Sequence, residues 1–255
     1  VAAIPAAAFP AVEAAAEGST AVAQAGAGSL ALHPLTDTDR AAIAAAVTQA
    51  ETYSSGEIVT VLSPRADGYW DIALAWSAFV ALLALAVLDM APAFYLGLVD
   101  RVLGRWGEVW TPRDVLSLAL TAATLKFAAM VLLQLWQPLR LWLVPPAIKA
   151  ARVHARAVTA FKLGAEQRSA GRTGVLVYLS LAEHRAVILA DAAIASKVSP
   201  DVWGDAMHAL LGPIRQGRVA DGMVAAIGKV GAVLTEHLPP RAADTNDIPD
   251  RLIEV

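Results

Sequence analysis

Apolar residues change their spacing several times along this chain, and each spacing predicts a different element. Ile43, Val47 and Ala50 recur at three- and four-residue intervals, which places them on one face of a helix. Thr36 precedes the run as an N-cap, and Asp37 and Asp39 put negative charge in the first turn, where the helix dipole favours it. Ser54, Ser55 and Gly56 stop this helix near Tyr53. Residues 57–62 (EIVTVL) then read as a β-strand closed by Ser-Pro. From Ile72 to Leu88 there are 17 residues without a charge, the lower limit for crossing a ~30 Å hydrocarbon core. Trp70 and Trp76 stand near one end of this stretch, as interfacial aromatics do, and Asp89 and Pro92 mark the other. Residues 92–112 form a mixed connection holding Arg101, Arg105, Trp106 and Trp110. A second apolar segment, 115–139, carries Lys126 as its one charge and exits at Trp136 and Pro138.

After Gly171 the period shortens. Residues 174–181 (GVLVYLSL) are nearly continuous in apolar character, which suits a central strand buried on both faces. Residues 182–185 are a turn, 186–190 (AVILA) a return strand ending at Asp191, and a short helix follows from Ala192. Ser199-Pro200 caps a helix carrying Val202, Trp203, Ala206, Leu210 and Leu211. Gly217 breaks the chain, and Asp221 caps a last helix running to about His237. The pattern thus gives a disordered lead-in (1–33), a first part of an α/β domain (34–66), an inserted hairpin (67–145, spans near 71–90 and 115–138), a second part (146–240) and a polar tail (241–255).

Composition sharpens this picture. Hydrophobic residues make up 57% of the 255, against ~45–50% in ordinary globular chains. The two apolar stretches, the first without a polar stripe beyond Ser77 and the second with Lys126 as its one charge, read as transmembrane rather than as buried soluble helices. The net charge of −3 gives no basic field for nucleic acid. Absence of cysteine removes disulfides, thiolate metal sites and Cys nucleophiles. Residues 140–172 hold seven cations and one anion, Glu166. Arg140, Lys149, Arg152 and Arg156 follow the second span closely, so they are expected at anionic headgroups, or simply on a solvated helix face. By the positive-inside rule this cluster and Arg65 place the α/β domain and both termini in the cytoplasm, against the pull of Arg101, Arg105 and Arg113.

The strand beginning Gly56-Glu57-Ile58-Val59-Thr60-Val61, a helix ending in Phe161-x-x-Gly164, the string Arg172-Thr173-Gly174-Val175-Leu176-Val177-Tyr178-Leu179-Ser180, the turn Glu183-His184-Arg185, and Val187-Ile188-Leu189-Ala190-Asp191 occur in this order, before two helices. Together they resemble the TPM domain family, over roughly 35–62 and 146–238, in the layout of its branch with an inserted hairpin. The resemblance implies an α/β/α sandwich on a small mixed sheet and an inner-membrane protein. It further implies an accessory role in the assembly, maintenance or regulation of another membrane protein. Acid phosphatase activity and binding of a divalent cation, Ca²⁺ or Mg²⁺, have been attributed to some members, so a metal-assisted phosphatase is the alternative. In many members a glycine follows the second hairpin strand; here Asp191 stands there.

Asp191 is the leading candidate for chemistry, because a carboxylate at a strand end of an open α/β sheet sits where ligands bind; the alternative is a helix cap. Asp201, Asp205 and His208 share a helix face by their i, i+4, i+7 spacing and would serve as metal ligands or acid–base groups only if that face met a cleft. Glu183-His184-Arg185 reads as an exposed turn, and Glu57 as the partner of an arginine. Asp244, Asn246, Asp247 and Asp250 do not match a calcium-loop spacing. Lys126 is either a functional charge at mid-membrane or, if the span shifts toward Trp142, a snorkelling one, with Asp89 and Asp114 as candidate partners. Walker, dinucleotide, nucleophile-elbow and H-E-x-x-H motifs are absent.

Overall fold

The computed structural model describes residues 14–15, 18–24, 35–104, 109–166, 174–239 and 251–254. They form strands β1 (Ala14–Ala15), β2 (Gly18–Gln24), β3 (Glu57–Ser63), β4 (Gly174–Ser180), β5 (Arg185–Ala190) and β6 (Ile253–Glu254). The helices are α1 (Asp37–Thr52), α2 (Trp70–Met90), α3 (Pro92–Leu103), α4 (Pro112–Gln134), α5 (Gln137–Leu143), α6 (Pro146–Glu166), α7 (Ala192–Ala195), α8 (Pro200–Ile214) and α9 (Val219–His237). The chain divides into two compact units, one of residues 1–67 and 146–255 and the other of residues 68–145.

The first unit is a mixed sheet between helices. Its strands run in the order β1-β2-β5-β4-β3-β6. β3 and β4 are parallel, β4 and β5 form an antiparallel hairpin, β2 adds antiparallel to β5, and β6 lies parallel to β3. Alternation along the strands supplies two cores. Ile58, Leu62, Val175, Val177, Leu179, Ala186, Ile188 and Ala190 face α1, α8 and α9, whose Ile43, Trp203, Leu210, Met223 and Ile227 close over them. Val59, Val61, Leu176, Tyr178, Val187 and Leu189 face Val153 and Ala157 of α6. This is the expected α/β/α sandwich, and β4 is the fully buried central strand. The Thr36–Asp39 capping box starts α1 as its sequence predicts. α9 crosses its neighbours closely: a Cβ on Gly222 would meet the Leu210 carbonyl at 2.5 Å, and one on Gly231 would meet Ala50 Cβ at 2.6 Å.

Several details differ from the sequence reading. Strand β2 lies inside the stretch expected to be a disordered lead-in, and pairs Thr20 with Leu189 through Gln24 with Arg185. Its Ala-rich composition hides a strand that needs only backbone partners. Within the polar tail, Ile253 and Glu254 pair with Val61 and Leu62, and Arg40 meets Glu254 at 2.7 Å. α9 is entered through Arg218, and Asp221 sits in its first turn bonded to that arginine instead of capping. Residues 92–103, read as a mixed connection, are helix α3. The remaining lead-in residues, Arg105, Trp106, Arg168, Arg172, Thr173, and Asp244 through Asp250 lie outside the described residues.

The second unit contains α2 to α5. α2 and α4 pack on one another, and both are long and apolar enough, by length and composition, to cross a membrane. Phe79, Leu82, Leu83, Leu116, Leu120, Leu125 and Leu132 remain exposed on them, unlike the core helices of a soluble bundle. The apolar pattern carries the second span to Pro138, whereas α4 ends at Gln134. Pro138 has no amide to give the Gln134 carbonyl, and a separate short helix, α5, begins at Gln137.

Candidate functional site

At one end of the β4–β5 hairpin, Asp191 follows β5 and occupies the N-cap position of α7 without capping it. Its Oδ2 accepts the Gly174 amide at 2.6 Å, and its own amide donates to the Gly174 carbonyl at 3.1 Å. The carboxylate thus ties the open end of the hairpin to the first residue of β4, a role that neither sequence alternative, ligand site or helix cap, contains. Asp201, Asp205 and His208 lie exposed on α8, opposite buried Trp203, Met207 and Leu210. Among the described residues no three His, Cys, Asp or Glu side chains are grouped to hold a metal ion, so Asp191, Asp201 and Asp205 are not assembled into one.

The other end of the hairpin is built differently. Glu183, expected on an exposed turn, is 3% exposed, and Arg185 is buried with it. The Glu183 carboxylate accepts the Ala66 amide at 3.1 and 3.2 Å and the Ser180 hydroxyl. Arg185 donates through Nη2 to the Pro146 carbonyl at 3.0 Å. Leu181 and Ala182 add backbone bonds to the carbonyls of Ser63 and Pro64. One turn thus holds both chain segments that flank residues 68–145. His184, between the two charges, takes the left-handed conformation (φ 51).

Burial sets the electrostatics here. It lowers the Lys149 ammonium from its ordinary value, with Arg185 adding to the effect and Glu183 opposing it. It lowers the His184 imidazole likewise, assisted by Lys149. Burial also raises the Tyr178 phenol. The sequence signal for this site is a tight turn between buried strands that holds charged residues and neither Gly nor Asn.

The cations expected at headgroups separate into two groups. Lys149, Arg152 and Arg156 line one side of α6; Arg152 lies 3.2 Å from Asp67, and Arg152 and Arg156 are exposed. Arg140 does not belong with them. It is 6% exposed, its Nε donates to the Gln134 carbonyl at 2.8 Å, and its Nη1 donates to the Gly68 carbonyl at 3.1 Å. Its guanidinium lies 4.0 Å from the centroid of the Trp70 ring, a cation–π contact. The arginine therefore serves the carbonyl that Pro138 leaves without a helical donor. Gln134 itself donates through Nε2 to the Ala73 carbonyl at 2.9 Å and to the Ser77 hydroxyl at 3.2 Å, which links α4 to α2. Lys126 is exposed on α4, eight residues before Gln134, about 12 Å along the axis. Asp114, its candidate partner, closes the Thr111 capping box.

The fold places the chain among mixed α/β domains with a helical insertion. No family model matches the chain, and no curated protein matches it in sequence. Among solved structures it is similar to the BA42 protein of the psychrophilic bacterium Bizionia argentinensis, studied by NMR. The likeness has a TM-score of 0.50 at 18% identity, over 88% of this chain and 97% of that one. It is a likeness of fold.

Proposed function

We propose that this chain is an inner-membrane protein whose TPM-type domain acts as an accessory module in the assembly, maintenance or regulation of another membrane protein. One observation carries the reading: the connection between β3 and α6 of an α/β domain contains two mutually packed, largely unburied apolar helices of membrane-spanning length. Two spans are too few for a transport pathway and suit docking. The order of motifs and the BA42-like fold support the TPM assignment. Lys149, Arg152 and Arg156 on α6 follow the second span within a few turns and supply the attraction to anionic headgroups.

The first test is extraction of membranes from cells expressing the full chain. It is expected to stay in the pellet after alkaline carbonate and to be released by detergent; release by carbonate overturns the membrane reading. The detergent-purified protein is then assayed on a phosphate ester with and without Ca²⁺ or Mg²⁺, beside Asp191→Asn. No turnover above a mock preparation is expected. Turnover that the substitution abolishes would replace the module with a phosphatase.

A further inference from the structure

We propose that α3 is an interfacial helix, lying in the bilayer plane where α2 ends and α4 begins, with Phe94, Leu98 and Val102 immersed at the acyl boundary. This rests on the membrane reading above. α3 has 12 residues, about 18 Å of helix, too short to cross a ~30 Å core. The chain breaks helical geometry at Ala91 (φ −140, ψ 58) before it and at Gly104 (φ 69) after it, so α3 is an element of its own and not an extension of either span.

Its residues sort into three arcs at 100° per residue. Tyr95, Leu96 and Val99 are partly buried against the rest of their unit. Ala93, Gly97 and Arg101 form a small and polar exposed stripe. Between these arcs lie Phe94, Leu98 and Val102, which are 67%, 44% and 75% exposed at four-residue spacing. Three large apolar side chains in one exposed stripe need a cover. Met90, exposed at the last position of α2, carries the apolar surface of that span up to the start of the stripe, so the cover continuous with the span is lipid. Arg101 sits at the stripe's edge, where its stem covers apolar surface while its head stays wet. Asp100, on the far side of the helix, accepts the Trp110 indole N–H at 3.1 Å, which fixes an interfacial aromatic at the same level. An apolar stripe flanked by a polar one is the pattern of helices that lie in the membrane plane.

The chain has no cysteine, so single substitutions accept a nitroxide label without background. Full-length protein is reconstituted into vesicles of phosphatidylethanolamine and phosphatidylglycerol. Labels are placed at Phe94, Leu98 and Val102, at Ala93, Gly97 and Arg101, and at Leu82 of α2 and Leu120 of α4 as references. Relaxation by oxygen, which concentrates in lipid, is compared with relaxation by a water-soluble nickel chelate. The first stripe is expected to favour oxygen several-fold over the second, at a depth shallower than the references. Equal, chelate-accessible values in both stripes would overturn the in-plane placement while the references still report a spanning hairpin. Protection of the first stripe from both reagents would mean that protein covers it, which overturns the lipid assignment. Loss of the oxygen preference at Leu82 and Leu120 would instead sink the membrane reading. The labelled α3 positions besides Gly97 bear exposed side chains, and a Cβ at Gly97 meets nothing within 4 Å, so the ring contact that a label removes is that of Phe94 with Tyr95, 5.1 Å between centroids.

Discussion

Glu183 is a buried carboxylate whose oxygens are occupied by the Ala66 amide and the Ser180 hydroxyl. Removing it leaves both donors without this acceptor, and a hydrogen bond to a charged group contributes about 1.5–3 kcal/mol. Glu183→Ala is expected to lower stability by about 2–3 kcal/mol, and Glu183→Gln by less, read as a shift in the denaturant midpoint of the detergent-purified protein. His184 gives a pH dependence. Its folded-state value is held below the ordinary 6.5 by burial and by Lys149. Between that lowered value and 6.5 the unfolded chain binds a proton that the folded chain does not. Stability therefore falls as pH drops below about 6.5 and levels off beneath the folded-state value. A melting-temperature series across this range should show the slope in the native chain and lose it in His184→Asn, a residue that tolerates the left-handed conformation. Neither role was legible in the sequence. A charged tripeptide between strands reads as solvated, and its burial depends on residues 66 and 146, which come from distant parts of the chain. Asp191 stands out in the sequence as unusual, yet its partner at Gly174 is a backbone amide, which carries no side-chain signal.

Elements with one clear period were legible: α1, β3, β4, β5, α8 and α9 stand close to where apolar spacing and caps place them. Those without it were not. α3 is interrupted by Gly97 and Asp100, and β2 is small-residue sequence whose strand form depends on pairing with β5. The early end of α4 follows from Pro138 and from the arginine that replaces the missing donor. Arg140→Ala removes a donor from the carbonyls of Gln134 and Gly68 together and is expected to destabilise the hairpin unit by about 2–3 kcal/mol. Arg140→Lys should recover only part of this, because a point charge on a flexible stem cannot serve two carbonyls and an aromatic face at once. Unfolding of the α2–α5 unit by graded SDS, followed through tryptophan emission, checks both variants.

At the scale of the whole molecule, the division into an α/β domain and an inserted apolar hairpin is foreshadowed by the shift from mixed to uncharged sequence and back. The outer strands of the sheet are not, since β1 and β2 come from an Ala/Gly-rich stretch and β6 from a polar one. Sidedness follows from charge. With Arg140 engaged inside the hairpin, Arg65, Lys149, Arg152 and Arg156 remain to set it, opposed by Arg101, Arg105 and Arg113. A phosphatase or fluorescent reporter fused after Val255 is expected to report a cytoplasmic C-terminus. Exchange of Lys149, Arg152 and Arg156 for glutamine should weaken that bias and give a mixed population.

The pairing of β3 with β4 aligns Glu57 with Gly174, and everything between them must be synthesised before the two strands can meet. At ~5–20 residues per second of translation that interval lasts roughly 6–23 s. Throughout it, β3 emerges without the neighbour that forms the centre of its sheet, while both apolar helices leave the ribosome. On the membrane reading proposed above, the connectivity orders the events: the hairpin partitions into the bilayer first, and the sheet closes afterwards on a chain already held there. A delay in insertion would prolong the life of an unpaired strand that the finished fold buries along its whole length. On that reading, the exposure of this strand to aggregation depends on the timing of membrane delivery as well as on the stability of the finished fold.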